Sequence, residues 1–188
     1  MTVEFTYSVT ADDDGALVVP YPADHGGGRT NHGFIDLRGR PAQARAIVEA
    51  QPSPAFRDLL VQLADPGSRY FSIGCELGGM ELPAADGTVN FSAGAYLQIA
   101  ASDLHSNVAL HRGEQEKLAD RLRDHLEPLS EGHSWQVECI VSVIMAEALG
   151  GPEQIWSPLI YMHAQGSSPE AAVQSAEVLF ASLATFLG

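Results

Sequence analysis

Val89-Asn90-Phe91-Ser92-Ala93-Gly94-Ala95-Tyr96-Leu97-Gln98-Ile99 decides the fold class. Apolar side chains fall on every second position from Val89 to Ile99, and the intervening Asn90, Ser92, Gly94, Tyr96 and Gln98 carry no charge. A period of two sustained over this length is a strand with one face in a core. Its uncharged opposite face is expected to meet solvent or line a shallow site, and Gly94 to mark a bulge. Phe71, Ile73, Cys75 and Leu77 alternate in the same way just upstream, so a second strand precedes it across a Gly/Pro-rich connection.

Working outward, Val3, Phe5, Tyr7 and Val9 alternate with Glu4, Thr6 and Ser8, another half-buried strand. Asp12-Asp13-Asp14-Gly15 has turn chemistry, so Ala16 to Tyr21 is expected to pair back as a hairpin, with Gly33 to Leu37 as a third short strand. From Pro41 the spacing becomes helical. One short helix is expected over Ala42 to Ala50, stopped by Pro52. Ser53 and Pro54 then open a helix with the stripe Phe56, Leu59, Leu60 and Leu63, ended by Asp65-Pro66-Gly67.

Glu114 to Glu127 reads as an amphipathic helix through Leu118, Ala119, Leu122 and Leu126. The β-branched run from Trp135 to Met145 favours a strand in its first part, although Val137, Ile140, Val141, Ile144 and Ala148 also fit helical spacing. Pro158 to His163 is expected as a strand with proline at its start. Ser168-Pro169-Glu170 opens a final helix that repeats Ala172, Ala176, Leu179, Phe180, Leu183 and Leu187 on one face.

These elements predict one globular α+β domain over residues 1–188, a largely antiparallel sheet with helices packed on one face. Strand groups begin near residues 3, 69 and 134, and helices end near 64, 127 and 187, which suggests repeated strand-strand-helix units. No residue motif recurs between them.

With 24 acidic against 10 basic residues the formal charge is -14, and Lys117 is the sole lysine. Such a field repels nucleic acid and anionic membrane surfaces and attracts a basic protein partner. Cys75 and Cys139 lack metal-ligand spacing and are expected as buried reduced thiols, with a bridge as the alternative. Met1 to Phe5 does not read as a secretory leader, and the apolar run Cys139 to Ala146 is too short to span a bilayer, so a cytoplasmic location is expected.

The residues least like scaffold are Asp24-His25-Gly26-Gly27-Gly28-Arg29-Thr30-Asn31-His32-Gly33. Glycine amides beside a guanidinium form a nest for an anionic group, so His25, Gly26, Gly27, Gly28, Arg29 and His32 are the candidate ligand-binding residues. His25 to Gly28 resembles the oxyanion-hole loop of lipases and esterases, but the G-x-S-x-G elbow which that resemblance requires does not occur. Ser72 to Gly79 is similar to the cysteine elbow of dienelactone hydrolases, although its register departs from that pattern. Neither family is assigned.

Asp24, His25, His32 and Asp36 form a loose set of metal-ligand types, as do Asp103, His105 and His111, but neither matches a metal signature; no metal or cofactor is assigned. Glu76 and Glu81 are a candidate acid/base pair, and Glu138 needs a partner such as His133 or His163 if buried. Trp135, Trp156, Tyr161 and Met162 read as core. The favoured function is a noncatalytic protein-binding or interaction module, engaging a basic partner or a second copy. The alternative is a small hydrolase or metal-dependent enzyme using the His25 to Gly33 loop.

Overall fold

The computed structural model describes residues 3–10, 16–24, 32–83 and 89–188, with backbone alone for 80–83 and 89. Along the chain run β1 (Val3–Thr10), β2 (Leu17–Val18), α1 (Pro41–Ala44), α2 (Pro54–Leu63), β3 (Tyr70–Pro83) and β4 (Val89–Ala101). Then follow α3 (Asn107–Leu110), α4 (Arg112–Leu126), β5 (Ser134–Met145), β6 (Gln154–Gly166) and α5 (Pro169–Leu187). The fold is α+β, and the strands form one sheet ordered β1-β5-β6-β4-β3, with β2 also on β5.

The sheet is mixed. The β3–β4, β4–β6 and β5–β6 ladders are antiparallel, whereas β1 and β2 both run parallel to β5. The expected hairpin between the first two strands therefore does not form. The free edge of β5 takes both in succession, Val3 to Thr10 against Trp135 to Ser142 and then Leu17 against Ile144. The predicted turn at Asp12 to Gly15 lies outside the described residues. The expected strand-strand-helix order occurs three times, as β1-β2-α2, β3-β4-α4 and β5-β6-α5, but only the last two units pair their strands as hairpins, and the β4–β6 ladder joins them.

Helices α2, α4 and α5 cover one face of the sheet. Phe56, Leu59, Leu60 and Leu63 of α2, Leu118, Ala119, Leu122 and Leu126 of α4, and Leu179, Phe180, Leu183 and Leu187 of α5 share a core with Ala95, Leu97, Ile99, Val137, Cys139, Ile160 and Met162. Ser53 Oγ accepts from Phe56 N at 3.1 Å and Ser168 Oγ from Ala171 N at 3.2 Å, so both predicted caps form. The Phe56 and Phe180 rings pack at 5.1 Å between centroids. By length and composition α5 would also suffice to cross a membrane, and here its apolar face lies on the sheet.

A second, smaller cluster occupies one end of the opposite face, where Phe71, Ile73, Ala100, Ile144 and Ile155 pack under Leu17, Val19, Tyr21 and Phe34. Phe71 and Ile73 were expected to share a face with Cys75 and Leu77. A register shift between Ser72 and Gly74 separates them, sending the first two into this cluster and the last two toward the helices. Gly94, expected at a bulge, pairs regularly with Gly78 and His163 instead. It is glycine because a Cβ there would run into the Met162 carbonyl and the His163 ring.

Pro158 lies inside β6 rather than at its start, paired with Val141. It is tolerated because the β4–β6 ladder ends at Gln98 and Leu159. Beyond that point Ser157 Oγ donates to the Ile99 carbonyl at 2.7 Å, satisfying a buried acceptor. Residues 33–37 form no strand; Phe34 N donates to Tyr21 O at 3.0 Å, and the Leu37 carbonyl accepts from Arg40 N at 2.9 Å. The expected helix over 42–50 breaks at Ile47 (ψ 121°) into α1 and a single turn at Val48–Ala50. Gln51 Nε2 donates to the Arg45 and Ile47 carbonyls at the break. Trp135 to Met145 is strand throughout, followed by a short turn at Glu147–Leu149 that ends on Gly150 at φ 80°.

The two glycines paired across β3 and β4 predict opposite outcomes. Gly94→Ala should lower unfolding stability by about 1–3 kcal/mol through overpacking. Gly78→Ala should change it by less than about 0.5 kcal/mol, since nothing lies within 4 Å of the added carbon. Urea midpoints measured at constant m-value decide between these outcomes and equal effects.

Candidate functional site

The strand registers fix which side chains stand together on the face opposite α2, α4 and α5. Cys75, Leu77, Ala95, Leu97, Val137, Cys139, Ile160 and Met162 point into the helical core, so their neighbours in sequence point outward. Pairing aligns Glu76 with Tyr96, Tyr96 with Tyr161, Tyr161 with Glu138, and Glu138 with Thr6. One straight row across the sheet therefore reads Glu76, Tyr96, Tyr161, Glu138, Thr6. The next row reads Gly78, Gly94, His163, Gln136, Glu4.

Within the row two tyrosines lie between two glutamates, with Thr6 beyond Glu138. Tyr96 and Tyr161 are half-buried, with ring centroids 6.0 Å apart and planes inclined by 55°. Glu76 and Glu138 are both exposed. Burial, with Tyr21, Cys75, Glu76 and Tyr161 adding to it, pushes the Tyr96 hydroxyl up to about 12, so it stays a neutral hydrogen-bonding group across physiological pH. In the neighbouring row Gln136 Nε2 donates to Glu4 Oε2 at 3.1 Å. No position in either row is a lysine or an arginine.

Two cavities flank the tyrosine pair. One, of about 240 Å³, lies along the edge strand β3 and is lined by Tyr21, His32, Glu49, Gly74, Glu76 and Tyr96 among others. The other, of about 330 Å³, is lined by Glu4, Thr6, Gln136, Glu138, Tyr161 and His163. Tyr21, which lines the first, donates its hydroxyl to the Ile73 carbonyl at 3.1 Å where β3 bulges. A Cβ on Gly74 would come within 2.9 Å of that hydroxyl.

Of the predicted ligand-binding residues, His32 lines the first cavity and lies 3.6 Å from Glu49. His25, Gly26, Gly27, Gly28 and Arg29 lie outside the described residues. Asp36 is committed to Arg38, which donates from Nε at 2.9 Å and Nη2 at 2.8 Å and holds that carboxyl below its usual range. Among the described residues no three His, Cys, Asp or Glu side chains come together as a metal site. Asp103 accepts from the His105 amide in a turn rather than joining His111 around an ion. Glu81 lies on β3, with its side chain outside the described set, so the proposed pairing with Glu76 rests on sequence alone.

Glu138 is exposed and needs no buried partner, and His133 is engaged elsewhere. His133 Nδ1 and Ser175 Oγ are 2.9 Å apart, and Trp135 Nε1 donates to the same hydroxyl at 3.0 Å, with the His133 and Trp135 rings stacked at 5.0 Å. This bracket ties α5 to β5. Tyr161, expected as core, belongs instead to the open face. Its alternation with the buried Ile160 and Met162 was the available signal. Tyr96 was on the strand face expected to line a shallow site, and it does line one.

Comparison with known proteins finds no matching family model, no matching curated protein and no matching solved structure.

Cys75 and Cys139 are both free thiols. Burial pushes each from an ordinary value near 9 up to about 12, and at Cys75 the Glu49 and Glu76 carboxylates add to the effect. Between those two values the unfolded thiols lose protons that the folded ones retain. Their contribution to stability is therefore complete below about pH 9 and declines as pH rises toward 12. At pH 8 the native protein should react with a disulfide reagent far more slowly than the urea-unfolded chain. Equal rates would show that these thiols are not shielded.

Proposed function

We propose that this chain is a noncatalytic binding module that receives a basic segment of a protein partner on its open sheet face. The observation that carries the reading is the row Glu76, Tyr96, Tyr161, Glu138, in which two half-buried tyrosines lie between two exposed carboxylates. A guanidinium or ammonium gains from both, by charge pairing at the ends and by cation–π contact at the centre. The -14 charge supports the same choice of partner, because it draws cations to the surface and speeds their encounter with it. Phosphate backbones and anionic lipid are repelled by that field.

A fluorescein-labelled nona-arginine peptide tests this by anisotropy. Binding is expected at 50 mM salt and should weaken as salt screens the carboxylates. Gly78→Lys places a cation on the face at a position with open space around it, and should weaken binding roughly fivefold, about 1 kcal/mol. Glu131→Gln, an equal change in net charge at an exposed site between α4 and β5, should have less effect. No binding at 50 mM salt, or equal losses in the two variants, would overturn the reading.

A further inference from the structure

The geometry points to the form of the ligand as well as its charge: we infer that the partner segment lies extended across the strands and carries two arginines four residues apart. This rests on the basic-partner reading above and adds a register to it.

Glu76 is on β3 and Glu138 on β5, with β4 and β6 between them. Three inter-strand steps of about 4.8 Å separate them by about 14 Å. An extended chain advances about 3.3–3.6 Å per residue, so positions i and i+4 are about 13–14 Å apart and project to the same side. Residues i and i+2 fall short at about 7 Å, and i and i+6 overshoot at about 20 Å. The residue at i+2 then stands over the Tyr96–Tyr161 pair, whose tilted rings offer a surface for an apolar or planar side chain.

Gly78 gives the segment room. An added Cβ there would meet nothing within 4 Å, so backbone can approach the sheet beside Glu76, whereas the His163 ring lies over Gly94 beside Tyr96. On the other strands that row supplies His163 and Gln136, which can hydrogen-bond a passing peptide group. Arginine is favoured over lysine because its planar fork meets a carboxylate in two parallel bonds while its face stacks on a tyrosine. The cavities on either side of the tyrosine pair, one bordered by Glu76 and the other by Glu138, receive the two guanidinium groups.

Labelled peptides of one composition, with a central leucine and two arginines at i and i+4, i and i+1, or i and i+6, separate this inference from the reading beneath it. The i, i+4 peptide should bind about tenfold more tightly, because its second contact forms intramolecularly at high effective concentration. Glu76→Gln and Glu138→Gln, both isosteric and exposed, should each abolish most of that preference, whereas Glu131→Gln should preserve it. Lysine at both positions should cost about fivefold. Equal binding at all three spacings would overturn the register and leave the basic-partner reading standing, and equal binding of the lysine peptide would overturn the choice of arginine. Failure of every peptide to bind would overturn both the inference and the reading.

Discussion

The β4–β6 ladder is the constraint on which the rest of this structure depends. Each of the two hairpins, β3-β4 and β5-β6, carries an apolar face that it cannot cover alone, and a two-stranded hairpin is marginal in water. Joining them edge to edge makes one surface broad enough for α2, α4 and α5, and it aligns Ala95 with Met162 and Leu97 with Ile160 beneath those helices. The same registration sets Tyr96 beside Tyr161 on the other face. The core and the open face are thus two consequences of one pairing. A slip of one residue would exchange them, putting tyrosine and glutamate under the helices and aliphatic side chains in water.

That ladder is shaped by local chemistry at its middle and at one end. Close approach of β4 to β6 at Gly94 requires the absence of a side chain, which puts His163 directly over glycine and keeps that part of the surface low. At the Gln98–Leu159 end Pro158 withholds an amide, and Ser157 supplies a donor to the Ile99 carbonyl. Past this point the second cluster covers the open face with Phe71, Ala100, Ile144 and Ile155. The bulge at Ser72 to Gly74 serves the same end, since it turns Phe71 and Ile73 away from the helices. What the described residues leave uncovered is the polar middle of the sheet.

Much of the architecture was legible because its signals are local. Ser53-Pro54 and Ser168-Pro169 open α2 and α5, and alternation along Val89 to Ile99 gives the buried face of β4. The misplaced features depend on partners far away in sequence. Leu17 and Val18 read equally well in either direction, and only the free edge of β5 makes them parallel to it. The Ser72 bulge leaves no mark in a run that alternates without interruption. The site suffers most from this limit, because Glu76, Tyr96, Tyr161 and Glu138 come from four strands and no spacing within any of them announces the row. Tyr161 was half visible, since its neighbours Ile160 and Met162 are plainly core. The glycine-rich loop drew attention by composition, and its described member His32 does reach a cavity that also contains Tyr96.

Net charge alone makes a poor recogniser. A field of -14 attracts any cation, is screened within about 8 Å at physiological ionic strength, and distinguishes neither spacing nor shape. Exposed carboxylates are also individually weak partners, because water competes for them and the side chains lose freedom on pairing. A half-buried tyrosine supplies what they lack. Its ring is held by the sheet before any ligand arrives, so contact with it costs little additional ordering, and cation–π attraction grows as bound backbone excludes water from the ring face. Burial also keeps Tyr96 neutral, with its hydroxyl proton pushed up to about 12, so the centre of the row adds no charge of its own. In the proposed binding mode, selectivity comes from aromatic surface between two acidic positions, and the wider acidic field supplies the rate of encounter.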